Sequence, residues 1–199
     1  INNTHIPEKT TVNVTKVWND VNNTDGLRPV SVNITLVIDG KKSDQTVQIN
    51  ATNWTYTFEN LPKYRDNGTL IKYNVTEEKV ENYETTIVFC EGIFKVINTH
   101  IPENTSVNVT KVWNDNNNQD GVRPANVTVQ LLRDGKEYNS TVLSENNNWY
   151  AVFNNLPKYH DEGKEYMYTI IEVAIPGYSG VVTNVSTEFT VNNTHIPEN

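Results

Sequence analysis

The chain has 199 residues, 36% of them hydrophobic and 20% charged, with one cysteine and a formal net charge of −8. The acidic balance argues against nucleic acid or an anionic membrane as partner, and the single cysteine excludes an intrachain disulfide scaffold. No apolar run approaches the length of a membrane span.

Helical periodicity is missing almost everywhere, and alternation of period two dominates. In chain order, Val12, Val14, Lys16 and Trp18 share one face, with Asn13, Thr15, Val17 and Asn19 on the other. Val32, Ile34 and Leu36 alternate with Asn33 and Thr35. Trp54, Tyr56 and Phe58 alternate with Thr55 and Thr57, and Tyr73, Val75 and Glu77 with Asn74 and Thr76. Phe94, Val96 and Asn98 close the series, alternating with Lys95, Ile97 and Thr99. Turn signals such as "NNTDG", "IDGKK" and "YRDNG" separate these runs. Short strands at this spacing predict an antiparallel sandwich of roughly seven strands.

The pattern then repeats. "VTKVWND" occurs at Val14–Asp20 and Val109–Asp115, "NLPKY" at Asn60–Tyr64 and Asn155–Tyr159, and "NTHIPE" begins at Asn3, Asn98 and Asn193. The second copy keeps the phase at Val127/Val129/Leu131, Trp149/Ala151/Phe153, Tyr168/Ile170/Glu172 and Phe189/Val191/Asn193. A period of 95 residues (Val14 to Val109) is too long for a solenoid unit and suits two tandem domains. The expected division is 1–8 as the tail of a preceding repeat, 9–103 as the first domain and 104–199 as the second. The opening "INNTHIPE" matches the end of a copy, so the chain is expected to come from a longer array. Asn3 is expected to be a tail whose own domain is missing. The linker, Thr99–Glu103, is short and stiffened by Pro102, which suits a rod.

A lysine inside an inward-facing strand run needs a chemical explanation. An unpaired buried ammonium is costly, so the group must lose its proton, find a carboxylate or react. Lys16 lies between Val14 and Trp18, Glu77 follows Val75, and Asn98 follows Val96. The first run, a middle run and the last run thus each place one polar group in an apolar interior. If the three meet, burial favours the neutral amine and the neutral acid over the charged pair. The amine is then a nucleophile and the Asn98 amide carbon an electrophile. The acid polarises the amide oxygen and passes a proton to departing ammonia. The product is a Lys–Asn isopeptide bond, made once and without a cofactor. The plainer reading is a buried Lys–Glu ion pair with Asn as bystander, which leaves the inward asparagine of both copies unexplained.

The residues "VTKVW", "DGxRP", "NLPKY", "VTEE" and "INTH" resemble the CnaB-type (collagen-adhesin B-type) repeat of prokaryotic surface adhesins and pilins. The resemblance covers nearly the whole chain, twice. It implies tandem immunoglobulin-like, transthyretin-related β-sandwiches, each with an isopeptide bond between a first-strand Lys and a last-strand Asn assisted by a middle-strand acid. Carried over, the bonds are Lys16–Asn98 and Lys111–Asn193, with Glu77 and Glu172 as the assisting acids. The second copy reads "TIIEV" in place of "NVTEE", yet Glu172 keeps the register. Glu78 is the other candidate in the first copy; alternation turns it outward, so Glu77 is preferred.

What the resemblance implies is a stalk or spacer of an extracellular adhesin, at the cell surface or cell wall, expected to be a monomer. Its partners are neighbouring repeats of the same polypeptide, and any host ligand is reached through other domains of the parent. No cofactor, no metal and no enzymatic turnover on an outside substrate are expected. The alternative is a ligand-binding module for a host glycan or matrix protein. Such a site would sit on loops that differ between copies, whereas these loops are short and repeat.

Other signals carry less. Sequons at Asn13, Asn33, Asn53, Asn74, Asn108, Asn126, Asn139 and Asn184 fit either a glycoprotein or an Asn- and Thr-rich composition. "NDVNNTDG" and "NDNNNQDG" miss the EF-hand spacing and read as polar turns, with a weak cation site as the alternative. His5, His100 and His195 read as solvated linker residues. Cys90 reads as a small core hydrophobe, and Trp18, Trp54, Trp113 and Trp149 as core.

Overall fold

Each alternating run forms an extended strand in the computed structural model, which describes residues 5–198. The expectation for Asn3 lies outside the described residues. The chain divides between Ile101 and Pro102 into two compact units. In the first, seven strands follow one another: β1 (Lys9–Asn19), β2 (Ser31–Ile38), β3 (Lys41–Asn50), β4 (Thr55–Pro62), β5 (Tyr73–Glu77), β6 (Glu84–Cys90) and β7 (Ile93–Thr99). They form two sheets, ordered β4-β1-β7-β6 and β3-β2-β5.

The second unit comprises β8 (Asn104–Asn114), β9 (Asn126–Arg133), β10 (Lys136–Ser144), β11 (Tyr150–Pro157), β12 (Tyr159–His160), β13 (Lys164–Glu165), β14 (Tyr168–Glu172), β15 (Ser179–Val185) and β16 (Glu188–Thr194). Its sheets, β11-β8-β16-β15 and β10-β9-β14, repeat the first unit's order. The two-residue hairpin β12–β13 is additional.

The inward faces of the two sheets make the core. In the first unit Val12, Val14 and Val96 on one sheet pack with Val32, Ile34, Leu36 and Val75 on the other, closed by Ile49, Phe58 and Leu61. The second unit repeats this with Val107, Val109 and Val191 against Val127, Val129, Leu131 and Ile170. Each such side chain contributes about 1.5–3 kcal/mol when fully buried. Trp18 and Trp54 are partly buried against the first core and meet edge to face at 5.4 Å. Trp113 and Trp149 do the same in the second, at 5.2 Å.

One pairing in each unit is parallel. β1 runs beside β7 in the same direction, with Lys16 opposite Val96 and Trp18 opposite Asn98. β8 and β16 repeat this register, with Lys111 opposite Val191 and Trp113 opposite Asn193. The remaining ladders are antiparallel. Because first and last strands run the same way, each chain segment enters at one end of this strand pair and leaves at the other. Tension on the two ends therefore loads the pair in shear.

Besides the two-residue β12 and β13, four strands were not legible as alternating runs: β3, β6, β10 and β15. All are sheet edges. With one neighbour and little cover, an edge strand needs no clean alternation of apolar and polar residues. This also corrects the reading of Cys90, which is exposed. It ends edge strand β6, beside the Glu91–Gly92 turn where both residues have positive φ, and its counterpart Val185 is 80% exposed. Tyr56 keeps Phe58's face but is 40% exposed, because β4 is likewise an edge.

Candidate functional site

Lys16 sits in mid-β1, and the pleat that buries Val14 buries it too. Its neighbour across the parallel ladder is Val96; Asn98 lies two residues further along β7 on the same face. Glu77 ends β5 in the opposite sheet, where it pairs with Ile34. Lysine and asparagine thus come from one sheet and the acid from the other.

The side chains of Lys16 and Glu77 are 0% and 1% exposed, and Lys16 Nζ lies 3.3 Å from Glu77 Oε1. Lys16 Nζ also donates to Val96 O at 3.2 Å and stands 4.2 Å from the centre of the Trp18 ring. In the second unit Lys111 Nζ is 3.5 Å from Glu172 Oε1, donates to Val191 O at 3.4 Å and lies 3.9 Å from the Trp113 ring centre. Burial brings the Lys16 amine down to about 8, against the opposing pull of Glu77. Burial lowers Lys111 as well, opposed by Glu172. Both amines therefore surrender a proton more readily than a solvated lysine does.

Asn98 is fully buried and Asn193 nearly so. Neither polar atom of the Asn98 side chain has a hydrogen-bond partner, and neither has Asn193 Oδ1. Glu77 Oε1 and Glu172 Oε1 approach their lysines in distance yet lie off the hydrogen-bond directions. Each unpartnered buried polar group costs about 1–3 kcal/mol. Native interiors rarely tolerate such groups without a chemical reason. Here they accumulate at one point in both units, where an amine, an acid and an amide are shut in together.

Glu78 turns outward and accepts from Asn33 Nδ2 at 2.7 Å. Among the sequons, Asn13 and Asn33 are half-buried in side-chain contacts, Asn13 accepting from Thr57 Oγ1 at 2.9 Å. Asn108 is also half-buried and bonds Glu188. Asn53, Asn74, Asn126, Asn139 and Asn184 are exposed.

The polar turn after β1 is organised by its own salt bridge. Asp20 accepts from Arg28 Nε at 3.0 Å and Nη2 at 2.6 Å, from Asn23 N at 3.0 Å and from Tyr83 OH at 2.9 Å. Burial works against the Asp20 carboxylate, yet these donors hold it below the usual range. Asp115, Arg123 and Tyr178 repeat the arrangement. Among the described residues no three His, Cys, Asp or Glu side chains converge as a metal site would require.

Two of the three linker histidines correct the sequence reading, whereas His5 is exposed as expected. His100 is not solvated: Nε2 lies 2.8 Å from Asp25 Oδ2 and Nδ1 lies 2.9 Å from Asn82 O. His195 makes the same contacts with Asp120 and Gly177 O. These partners lie 18 and 75 residues from the histidine, so the linker motif alone could not name them. The Asp20–Arg28–Tyr83 group was also missed, although recurrence of all three at the 95-residue period was an available signal. Thr85, which donates to Glu77 Oε2 at 3.0 Å, had no such signal, because its counterpart is Gly180.

The Cna protein B-type domain model matches residues 12–99 and 107–194. A collagen adhesin of Staphylococcus aureus is 40% identical over 201 residues, covering 100% of this chain and 16% of that protein. The crystal structure of two B repeat units of the Staphylococcus aureus collagen binding protein is similar with a TM-score of 0.81 at 37% identity. That match covers 94% of this chain and 50% of the other.

Proposed function

The chain belongs to the Cna protein B-type domain family, and from that premise we propose that it is a load-bearing stalk segment of a cell-surface adhesin, each module closed by its own Lys–Asn isopeptide bond. The observation that carries this reading is the enclosed, unpartnered Asn98 amide on the same buried face as Lys16, with Glu77 3.3 Å from the amine. The second module supports it with Lys111, Glu172 and Asn193 in the same register.

Lys16 passes a proton to Glu77, and the neutral amine attacks Cγ of Asn98. A C–N bond forms while Glu77 polarises the amide oxygen. The acid then protonates the departing nitrogen, the regenerated carboxylate takes the second proton from the attacking nitrogen and passes it on, the original C–N bond breaks, and the nitrogen leaves as ammonium carrying both protons. Nothing is oxidised or reduced, and Glu77 ends as it began. Proximity and burial supply the acceleration. The chain is thus structural rather than enzymatic, each module reacting once.

The parallel β1–β7 pair makes the bond mechanically useful. Force entering along β1 reaches Lys16, crosses to Asn98 and leaves along β7, bypassing the strands between. The same tie closes a loop of about 80 residues, which the chain-entropy relation values at on the order of 4–5 kcal/mol. On this reading the chain works outside the cell, beside neighbouring repeats of its own polypeptide. The test is the intact mass of the denatured chain. We expect it to fall short of the calculated value by two ammonia molecules; the full calculated mass would overturn the proposal.

A further inference from the structure

The two modules differ at the one position that faces the asparagine from the edge strand. Thr85 on β6 pairs with Asn98, and Gly180 on β15 pairs with Asn193. In the first module the Thr85 hydroxyl donates to Glu77 Oε2 at 3.0 Å, while the other oxygen, Oε1, is the one beside Lys16. The carboxyl is therefore held from two sides. A hydroxyl both donates and accepts, so Thr85 can hold Glu77 as a carboxylate and, after proton transfer, as the acid.

The second module has no side chain at this place. A β-carbon built on Gly180 would stand 3.0 Å from Asn193 Oδ1 and 3.2 Å from Glu172 Oε2, closer than a β-carbon ordinarily sits, so both oxygens crowd the glycine at a place that offers them no hydroxyl. Gly180, Glu172 and Asn193 line a pocket of about 340 Å³ that also includes Ile175, Tyr178 and Val182 in its wall. Glu172 keeps 7% side-chain exposure where Glu77 keeps 1%, and its distance to the lysine is 3.5 Å against 3.3 Å.

We propose that Thr85 is a positioning residue for cross-linking in the first module, and that Gly180 leaves the second module's acid unheld and open to water, so that the first bond closes faster than the second. This rests on the cross-linking reading above. Water reaching Glu172 competes with Asn193 for its proton and raises the local dielectric, which weakens the drive to neutralise the buried pair. A held acid, by contrast, spends its time aimed at the amine and the amide.

The test follows bond formation in the full chain as it is made. Cell-free synthesis is sampled from seconds to hours, quenched in acid and digested, and the Lys16–Asn98 and Lys111–Asn193 linked peptides are counted separately. We expect the first module to lead in the parent. Thr85→Val keeps the shape without the hydroxyl and should slow the first module about tenfold, the value of one good hydrogen bond to a charged group, leaving the second unchanged. Thr85→Ser restores the hydroxyl and should restore the rate. Closure of the first module at the parental rate in Thr85→Val, or equal slowing in Thr85→Ser and Thr85→Val, would overturn the proposal. If neither linked peptide forms in the parent chain, the cross-linking reading itself falls, and the proposal with it.

Discussion

The amine of Lys16 lies 3.3 Å from Oε1 of Glu77, across the gap between two sheets that share no ladder. A charged pair so placed has lost its water and is poorly aligned with itself, with one hydrogen bond from Lys16 Nζ to Val96 O and one from Thr85 to Glu77 as partial compensation. Truncating either partner of such a pair is normally costly, because it strands a buried charge. A reaction that consumes the amine removes the difficulty permanently.

Glu77→Gln keeps the shape and removes the proton carrier. We expect the denatured chain to fall short by one ammonia rather than two, with only the second module cross-linked. Without its tie the first module should lose about 4–5 kcal/mol, or roughly 20–30 °C in melting temperature for a domain of this size. Calorimetry of the parent and variant checks both modules in one scan. An unchanged low-temperature transition would count against the tie as the source of stability.

Under tension the parent should show no unfolding step in which the segment between Lys16 and Asn98 is released. In Lys16→Ala with Lys111→Ala each module should release about 80 residues, or about 270 Å of extended chain. Single-molecule pulling reads this directly. Identical traces for parent and double variant would remove the load-bearing role.

In Asn98→Ala the lysine has no acceptor and stays free. Burial then holds its amine near the depressed value of about 8, well under the ordinary value near 10.4. Between these two values the unfolded chain holds the proton more firmly than the folded one. The variant's first module should therefore gain stability as pH rises through this window, the opposite of a stabilising lysine pair. Chemical denaturation at pH 8 and pH 10 measures the sign. A fall in stability over this range would mean that the amine is not desolvated.

His100 and His195 should confer an opposite pH dependence. Both ring nitrogens of His100 face acceptors, Asp25 Oδ2 and Asn82 O, and both can be satisfied only by the doubly protonated ring. Burial alone would lower the His100 pKa, but the bonds to Asp25 and Asn82 O outweigh it and raise it. His195 is raised chiefly by Asp120. A raised folded-state pKa contributes stability that is complete below the unfolded value and fades as pH rises through the folded one. We expect the end of each module to loosen as pH rises above the ordinary histidine value, and His100→Gln to abolish the dependence in the first. Ring titration by NMR, with amide exchange at Thr99 and His100, provides the measurement. A ring that titrates below the free value would refute the assignment.

Much of the fold was legible because a half-buried strand must alternate. Val14, Lys16 and Trp18 lie on one side of β1 for the same reason that Asn13 and Thr15 lie on the other. Repetition at 95 residues doubled each observation and exposed Lys111, Glu172 and Asn193 as counterparts. Legibility failed at the edges. β3 and β6 carry little of the core, so their composition records little of their conformation; for that reason Cys90 was misread as core and Thr85 went unread. The histidines failed for another: their partners are distant in the chain, and a linker motif says nothing of what folds back against it.

Sequence alone determined which side of each core strand a residue occupies, since the pleat is a local property with a fixed period of two. It thereby determined that a lysine, an acid and an asparagine in each copy are turned from water. Only the tertiary structure decided that β1 lies parallel to β7, that Glu77 faces Lys16 across the sandwich, and that Thr85 offers its acid a hydroxyl where Gly180 offers none. Those are relations between segments far apart in the chain, settled by how two sheets pack and which strand becomes an edge, and no local periodicity encodes them.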